Sequence, residues 1–144
     1  MKHAILPIIS TILVLLMAFV SFGVLARHNA TSPSYKFTDD EIEAVEAIES
    51  NPEYDLFHND QTLVTAMNDA CDVLTHTDDV EAIGQAKINI VTSLAQGQRF
   101  GTKEDLFNAS IKASDIVAEA GAQFVCPDVE VEPFVEQKIS LNAS

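Results

Sequence analysis

Lysine and arginine are scarce in this 144-residue sequence, eight in all against 22 aspartates and glutamates. Only Lys2 precedes residue 27, so the remainder holds seven basic and all 22 acidic side chains, a formal charge of −15. Nucleic acid is bound mainly through Lys and Arg contacts to phosphate, and this balance excludes it as a partner. An anionic lipid surface is disfavoured on the same ground. A basic protein, a cationic ligand or a divalent metal stays open, as does plain solubility, the blander reading of an acidic surface.

Motifs that carry chemistry are missing too. Five scattered glycines form no phosphate-cradling loop, and no aspartate-rich calcium loop with its central glycine occurs. Ser110 and Ser114 sit in no nucleophile-elbow pattern and have no obvious histidine partner. The nearest approaches to metal-ligand sets are His58 with Asp60, and His76 with Asp78 and Asp79. A site needs three or four converging ligands, and these residues fall at helix ends, where Asp and Thr are ordinary caps. The sequence therefore points to no catalytic residue, no cofactor and no metal. It reads as a chain that is not an enzyme.

What is present begins with an apolar run. Ala4 to Ala26 is 23 residues without a charge, preceded only by Met1, Lys2 and His3. About 20 apolar residues at ~1.5 Å rise span a hydrocarbon core of ~30 Å. A soluble helix of this kind would need protein on every face, and the acidic remainder is too small to wrap it. Two readings stay open. An uncleaved single-pass anchor explains the length, while Val24-Leu25-Ala26 has the small residues of a signal-peptidase site, with cleavage near Ala26. Either way the expected orientation is N-in, C-out, so the chain is exported and then held in the cell membrane or secreted.

Residues 27–37 are polar, include Pro33, and read as a linker. Thr38 and Glu41 have capping-box spacing and open a first helix, with Ile42, Val45 and Ile48 as its apolar stripe and Asn51-Pro52 as its stop. A second helix is expected from about Asp60 to Leu74, its face formed by Leu63, Val64, Met67, Cys71 and Leu74. Thr77-Asp78-Asp79 starts a third, with Val80, Ile83, Ala86, Ile90 and Leu94 inward and Gly97 as a left-handed stop. Thr102 and Asp105 cap a fourth running to about Val125, rich in small residues that admit a close neighbour, and Pro127 ends it. No segment of 38–126 alternates convincingly as a strand.

The organisation expected is a signal peptide or transmembrane anchor over 1–26, a linker over 27–37, a helical domain over 38–126 and an acidic flexible tail over 127–144. The fold class is all-α, a small bundle of three to four helices with one disulfide.

The two cysteines, Cys71 and Cys126, lie 55 residues apart, on the second helix and at the end of the fourth. Two cysteines make neither a structural zinc site nor, at this spacing, a redox dithiol motif. An even count in an exported domain favours a disulfide, with two buried free thiols as the alternative.

The alanine-rich Ala118 to Ala122, the ending Phe124-Val125-Cys126-Pro127 and the earlier Cys71-x-x-Leu74 resemble an actinobacterial exported family known as domain of unknown function 732. The resemblance covers about residues 54–128. Members often carry a glycine shortly before the first cysteine and a tyrosine before the second, where this chain has Met67 to Ala70 and Val125. It implies a small helical domain, secreted or membrane-attached and bridged between these cysteines, and it brings no activity with it. The expected function is a non-enzymatic binding or interaction module outside the membrane, its partner a protein or envelope component. The alternative is a small-ligand or cation carrier of the envelope.

Overall fold

Four helices form wherever the sequence supplies a cap followed by a periodic apolar face. The computed structural model describes residues 35–140, so the apolar run over 4–26, most of the linker and residues 141–144 lie outside the described residues. Thr38 starts α1 (Asp39–Glu49): its hydroxyl accepts the Glu41 N–H at 3.2 Å, and the Glu41 carboxylate accepts the Thr38 N–H at 2.8 Å. Asn59 caps α2 (Asp60–His76), and Asp79 caps α3 (Val80–Ala95). Thr102 and Asp105 form a second reciprocal box at α4 (Lys103–Ala120). Each cap satisfies N–H groups that the first helical turn leaves without intrahelical partners. Gly97, just beyond α3, takes φ +78°, the left-handed stop its position predicts.

The helices enclose one core. Ile48 from α1, Leu63, Val64 and Met67 from α2, Ile83, Ile90 and Leu94 from α3, and Val117 from α4 are all fully buried. Each such side chain contributes roughly 1.5–3 kcal/mol by leaving water. After Ala120 the fourth helix loosens into one π turn, Gly121–Val125, closed by the Cys126 N–H donating to Gly121 O at 2.9 Å. This turn packs on α1 and α2. Gly121 permits the approach: a Cβ there would lie 3.3 Å from Cys71 Sγ and 3.4 Å from Met67 O. The described residues contain no strand, and no helix among them is long and apolar enough to cross a membrane.

Several sequence expectations need correction. Ile42 is 45% exposed; the inward positions of α1 are Glu41, Ala44, Val45 and Ile48. Glu41 is tolerated inside because its carboxylate serves the Thr38 cap and accepts from Asn68 Nδ2 at 3.1 Å. Val80 points outward at 65% exposure, and Ala86 is only half-buried. Lys87 takes the core position between Ile83 and Ile90 instead. Phe37, assigned to the linker, packs against the core.

Of the stretch expected as an acidic flexible tail, residues 127–140 are described, and they include a short helix. From Cys126 the chain folds back over the bundle to a short helix, α5 (Glu132–Val135), which contacts α3 and α4 and inserts a fully buried Phe134. Burying one aromatic ring and pairing one buried charge outweigh the acidic, proline-punctuated composition that suggests disorder.

Cys71 and Cys126 form a disulfide with a Cα–Cα separation of 5.9 Å. Closing a loop between residues 55 apart stabilises the fold by roughly 4 kcal/mol in the chain-entropy account. Replacing both cysteines with serine is therefore expected to lower the unfolding free energy by about 2–5 kcal/mol in urea titrations. A change below about 0.5 kcal/mol would show that the bridge contributes little to this fold.

Candidate functional site

The returning segment is held by a lysine. Lys87 projects from the apolar face of α3 with 1% of its side chain exposed. Its ammonium donates to the carbonyls of Phe134 and Val135, each at 3.0 Å. Those carbonyls end α5, and Phe134 O also accepts the Gln137 N–H at 3.3 Å. The Phe134 ring centroid lies 5.3 Å from Nζ, a cation–π distance. Asp115 Oδ1 of α4 stands 2.7 Å away and supplies the countercharge. The two backbone bonds set the orientation of the ammonium, and this buried oxygen receives no aligned hydrogen bond of its own. Burial pushes the Asp115 carboxyl above its ordinary range, and the opposing pull of Lys87 does not cancel it.

Between this clamp and the disulfide the chain spans an open cleft of about 470 Å³. Leu74, Ile83, Val129 and Pro133 give it apolar walls, and Cys126 of the bridge lies at its side. Asp78, Asp128 and Glu130 stand exposed around it, and none of the three forms an ion pair among the described residues. The hydroxyls of Thr75 and Thr77 also line it but are engaged with backbone, donating to Cys71 O at 2.7 Å and accepting from Asp79 N–H at 2.9 Å. Such a surface offers recognition of a group that is aliphatic along its length and positive at its end. Sequence reasoning named Cys71 and Cys126 but missed Lys87, Asp115 and the cleft. The available signal was Lys87 itself, spaced four from Ile83 and three from Ile90 on one helix face.

The residues weighed for other chemistry are placed as structural elements. Ser110 and Ser114 are fully buried, their hydroxyls donating to Leu106 O at 2.8 Å and Ile111 O at 2.7 Å within α4. His76 folds back on Asp72 one turn earlier, Asp79 is a cap, and Asp60 lies in the first turn of α2. Among the described residues no three His, Cys, Asp or Glu side chains group as a metal site.

His58 holds the loop between α1 and α2. Its Nε2 lies 2.7 Å from Leu94 O, which can only accept, so Nε2 carries the proton. Nδ1 then accepts from the Tyr54 hydroxyl at 2.8 Å, which fixes the neutral tautomer. Beside it the Gln98 amide grips both Phe57 N–H and Phe57 O, leaving the Phe57 ring 89% exposed. Burial lowers the His58 pKa, against a smaller upward pull from Leu94 O, and burial pushes the Tyr54 hydroxyl up to about 12.

Comparison with protein-family models, curated proteins and solved structures finds no match for this chain.

Two outcomes follow from the site's geometry. Because His58 binds protons less readily when folded, its stabilising contribution is complete above the unfolded pKa of ~6.5 and declines as pH falls below it. Between pH 7.5 and 5 the melting temperature of the native chain should therefore drop relative to that of His58→Asn, whose own pH dependence lacks this component. Parallel curves would refute the role. In the clamp, Lys87→Met should cost about 3 kcal/mol, because Asp115 loses its countercharge and the Phe134 and Val135 carbonyls lose the ammonium donor. Adding Asp115→Asn should recover part of the loss in a double-mutant cycle followed by chemical denaturation.

Proposed function

We propose that this chain is an exported, non-enzymatic binding module. It works outside the membrane, anchored through residues 4–26 or released after cleavage near Ala26, and engages a protein or envelope component through its acidic helical surface. The observation that carries the reading is the Cys71–Cys126 bridge, which packs against Gly121 and ties residues 55 apart in sequence. Disulfides form and persist where thiols are oxidised, and the uncharged run from Ala4 to Ala26 supplies the route there. The resemblance to domain of unknown function 732 favours the same compartment and architecture. An excess of carboxylates over basic groups suits a basic protein partner and disfavours nucleic acid.

A second reading, a small-ligand or cation carrier of the envelope, is favoured by the cleft beside Cys126 alone. Native binding of such a ligand raises the melting temperature, so a metal and lipid panel separates the two.

The export reading is tested by fractionating the producing cells with a thiol-alkylating reagent present, then sequencing the N-terminus of the mature chain. The expected result is an unalkylated, bridged chain in the membrane fraction, or one beginning at Arg27 in the medium. Recovery in the cytosol with two alkylated cysteines would overturn it.

A further inference from the structure

We infer that the cleft beside the disulfide is a seat for a lysine side chain presented by a basic segment of a protein partner. The inference deepens the binding-module reading and rests on it for its biological setting, although its chemistry stands on the cleft alone.

Shape and charge point the same way. Leu74, Val129 and Pro133 line the cleft with hydrocarbon, which suits a methylene stem. Asp78, Asp128 and Glu130 offer carboxylates from two separate segments, and no ion pair among the described residues engages them. A compact ammonium with three donors suits scattered carboxylates better than a planar guanidinium, whose fork matches a single one. A formal charge of −15 after residue 26 draws basic chains towards the domain and repels a second copy of it.

The seat is also built before anything binds. The wall carrying Asp128 and Glu130 is fastened at one end by the disulfide and at the other by Lys87 on the carbonyls of Phe134 and Val135. Between them the Val129 N–H donates to Cys126 O at 3.2 Å, which fixes the turn. A wall ordered in advance loses little conformational freedom on binding. Asp78 lies at the corner between α2 and α3, two helices of the core.

The experiment uses the full chain purified in detergent and a fluorescein-labelled peptide of alternating alanine and lysine, followed by fluorescence anisotropy. Saturable binding is expected. Asp78→Asn with Glu130→Gln should weaken it at least about fivefold, since two carboxylates that would pair with the ammonium are removed. Glu43→Gln with Glu46→Gln, the same charge change on exposed α1 positions outside the cleft, should leave it within about twofold. A peptide with every lysine acetylated should not bind.

Equal weakening by the two double variants would overturn the proposal in favour of diffuse attraction to an acidic surface. Spermidine displacing the peptide at lower concentration would overturn it in favour of a free polyamine. No binding to the native chain would also overturn it. The two readings fail separately: an exported, bridged chain that ignores the peptide sinks only the lysine seat. A cytosolic chain with free thiols that binds it sinks only the export reading.

Discussion

Taking an ammonium out of water costs several kcal/mol, and a chain retains such a group only where the surroundings replace its hydration. Around Lys87 the replacement comes from three parts of the sequence. Asp115 of α4 supplies opposite charge, the end of α5 supplies two carbonyls, and the Phe134 ring supplies a π face. None of these is within 25 residues of Lys87 in sequence. The cost is met only when α3, α4 and α5 are assembled together, so the buried charge specifies where the C-terminal segment goes. An apolar residue at 87 could favour burial but would not choose those carbonyls. Everything from Cys126 to Val135 inherits its position from that choice and from the disulfide behind it.

The two fastenings differ in kind, and the difference matters for the cleft between them. The disulfide is covalent and acts largely by restricting the unfolded chain. The Lys87 clamp is electrostatic, acts within the folded state, and depends on the oxygens around it remaining in place. Loss of the bridge would leave the segment docked through Phe134 and Lys87 in those molecules that stay folded. Loss of the clamp would leave a covalent anchor at Cys126 but a free end beyond it. The span carrying Asp128, Val129 and Glu130 is held at both ends because both are present.

Local signals in the sequence were legible, and those that needed a distant partner were not. Thr38 with Glu41 and Thr102 with Asp105 announce their helices because the cap and its third residue are neighbours. Gly97 is readable for the same reason. The face of α2 follows from its spacing, and Cys71 falls on it. By contrast, the stripe Ile42, Val45, Ile48 misplaces α1 by part of a turn, because Ala44 is weakly apolar and Glu41 is polar. Glu41 goes inside with its carboxylate serving the Thr38 cap and accepting from Asn68, 27 residues away. The segment after Pro127 has the composition of a disordered tail. A single buried Phe134 and a lysine 47 residues upstream reverse that outcome, and neither is visible in a local window.

The shortage of basic residues and the burial of Lys87 are connected. Seven cations follow residue 26, and one of them is spent entirely inside, where it neutralises Asp115 and offers nothing to the surface. Lys112 stands 3.8 Å from Glu53, an exposed pair of small energetic weight. The first turns of the helices use several acids productively, and Thr102 hydrogen bonds hold the Asp105 carboxyl below its ordinary range. Acids such as Asp78, Asp128 and Glu130 enter no ion pair among the described residues. Removing a cation from the surface to fix the fold therefore sharpens the negative field where the fold forms a cleft. Residual charge of this sort opposes compaction, and a covalent bridge is an effective counter to it, because its stabilisation does not weaken as like charges accumulate.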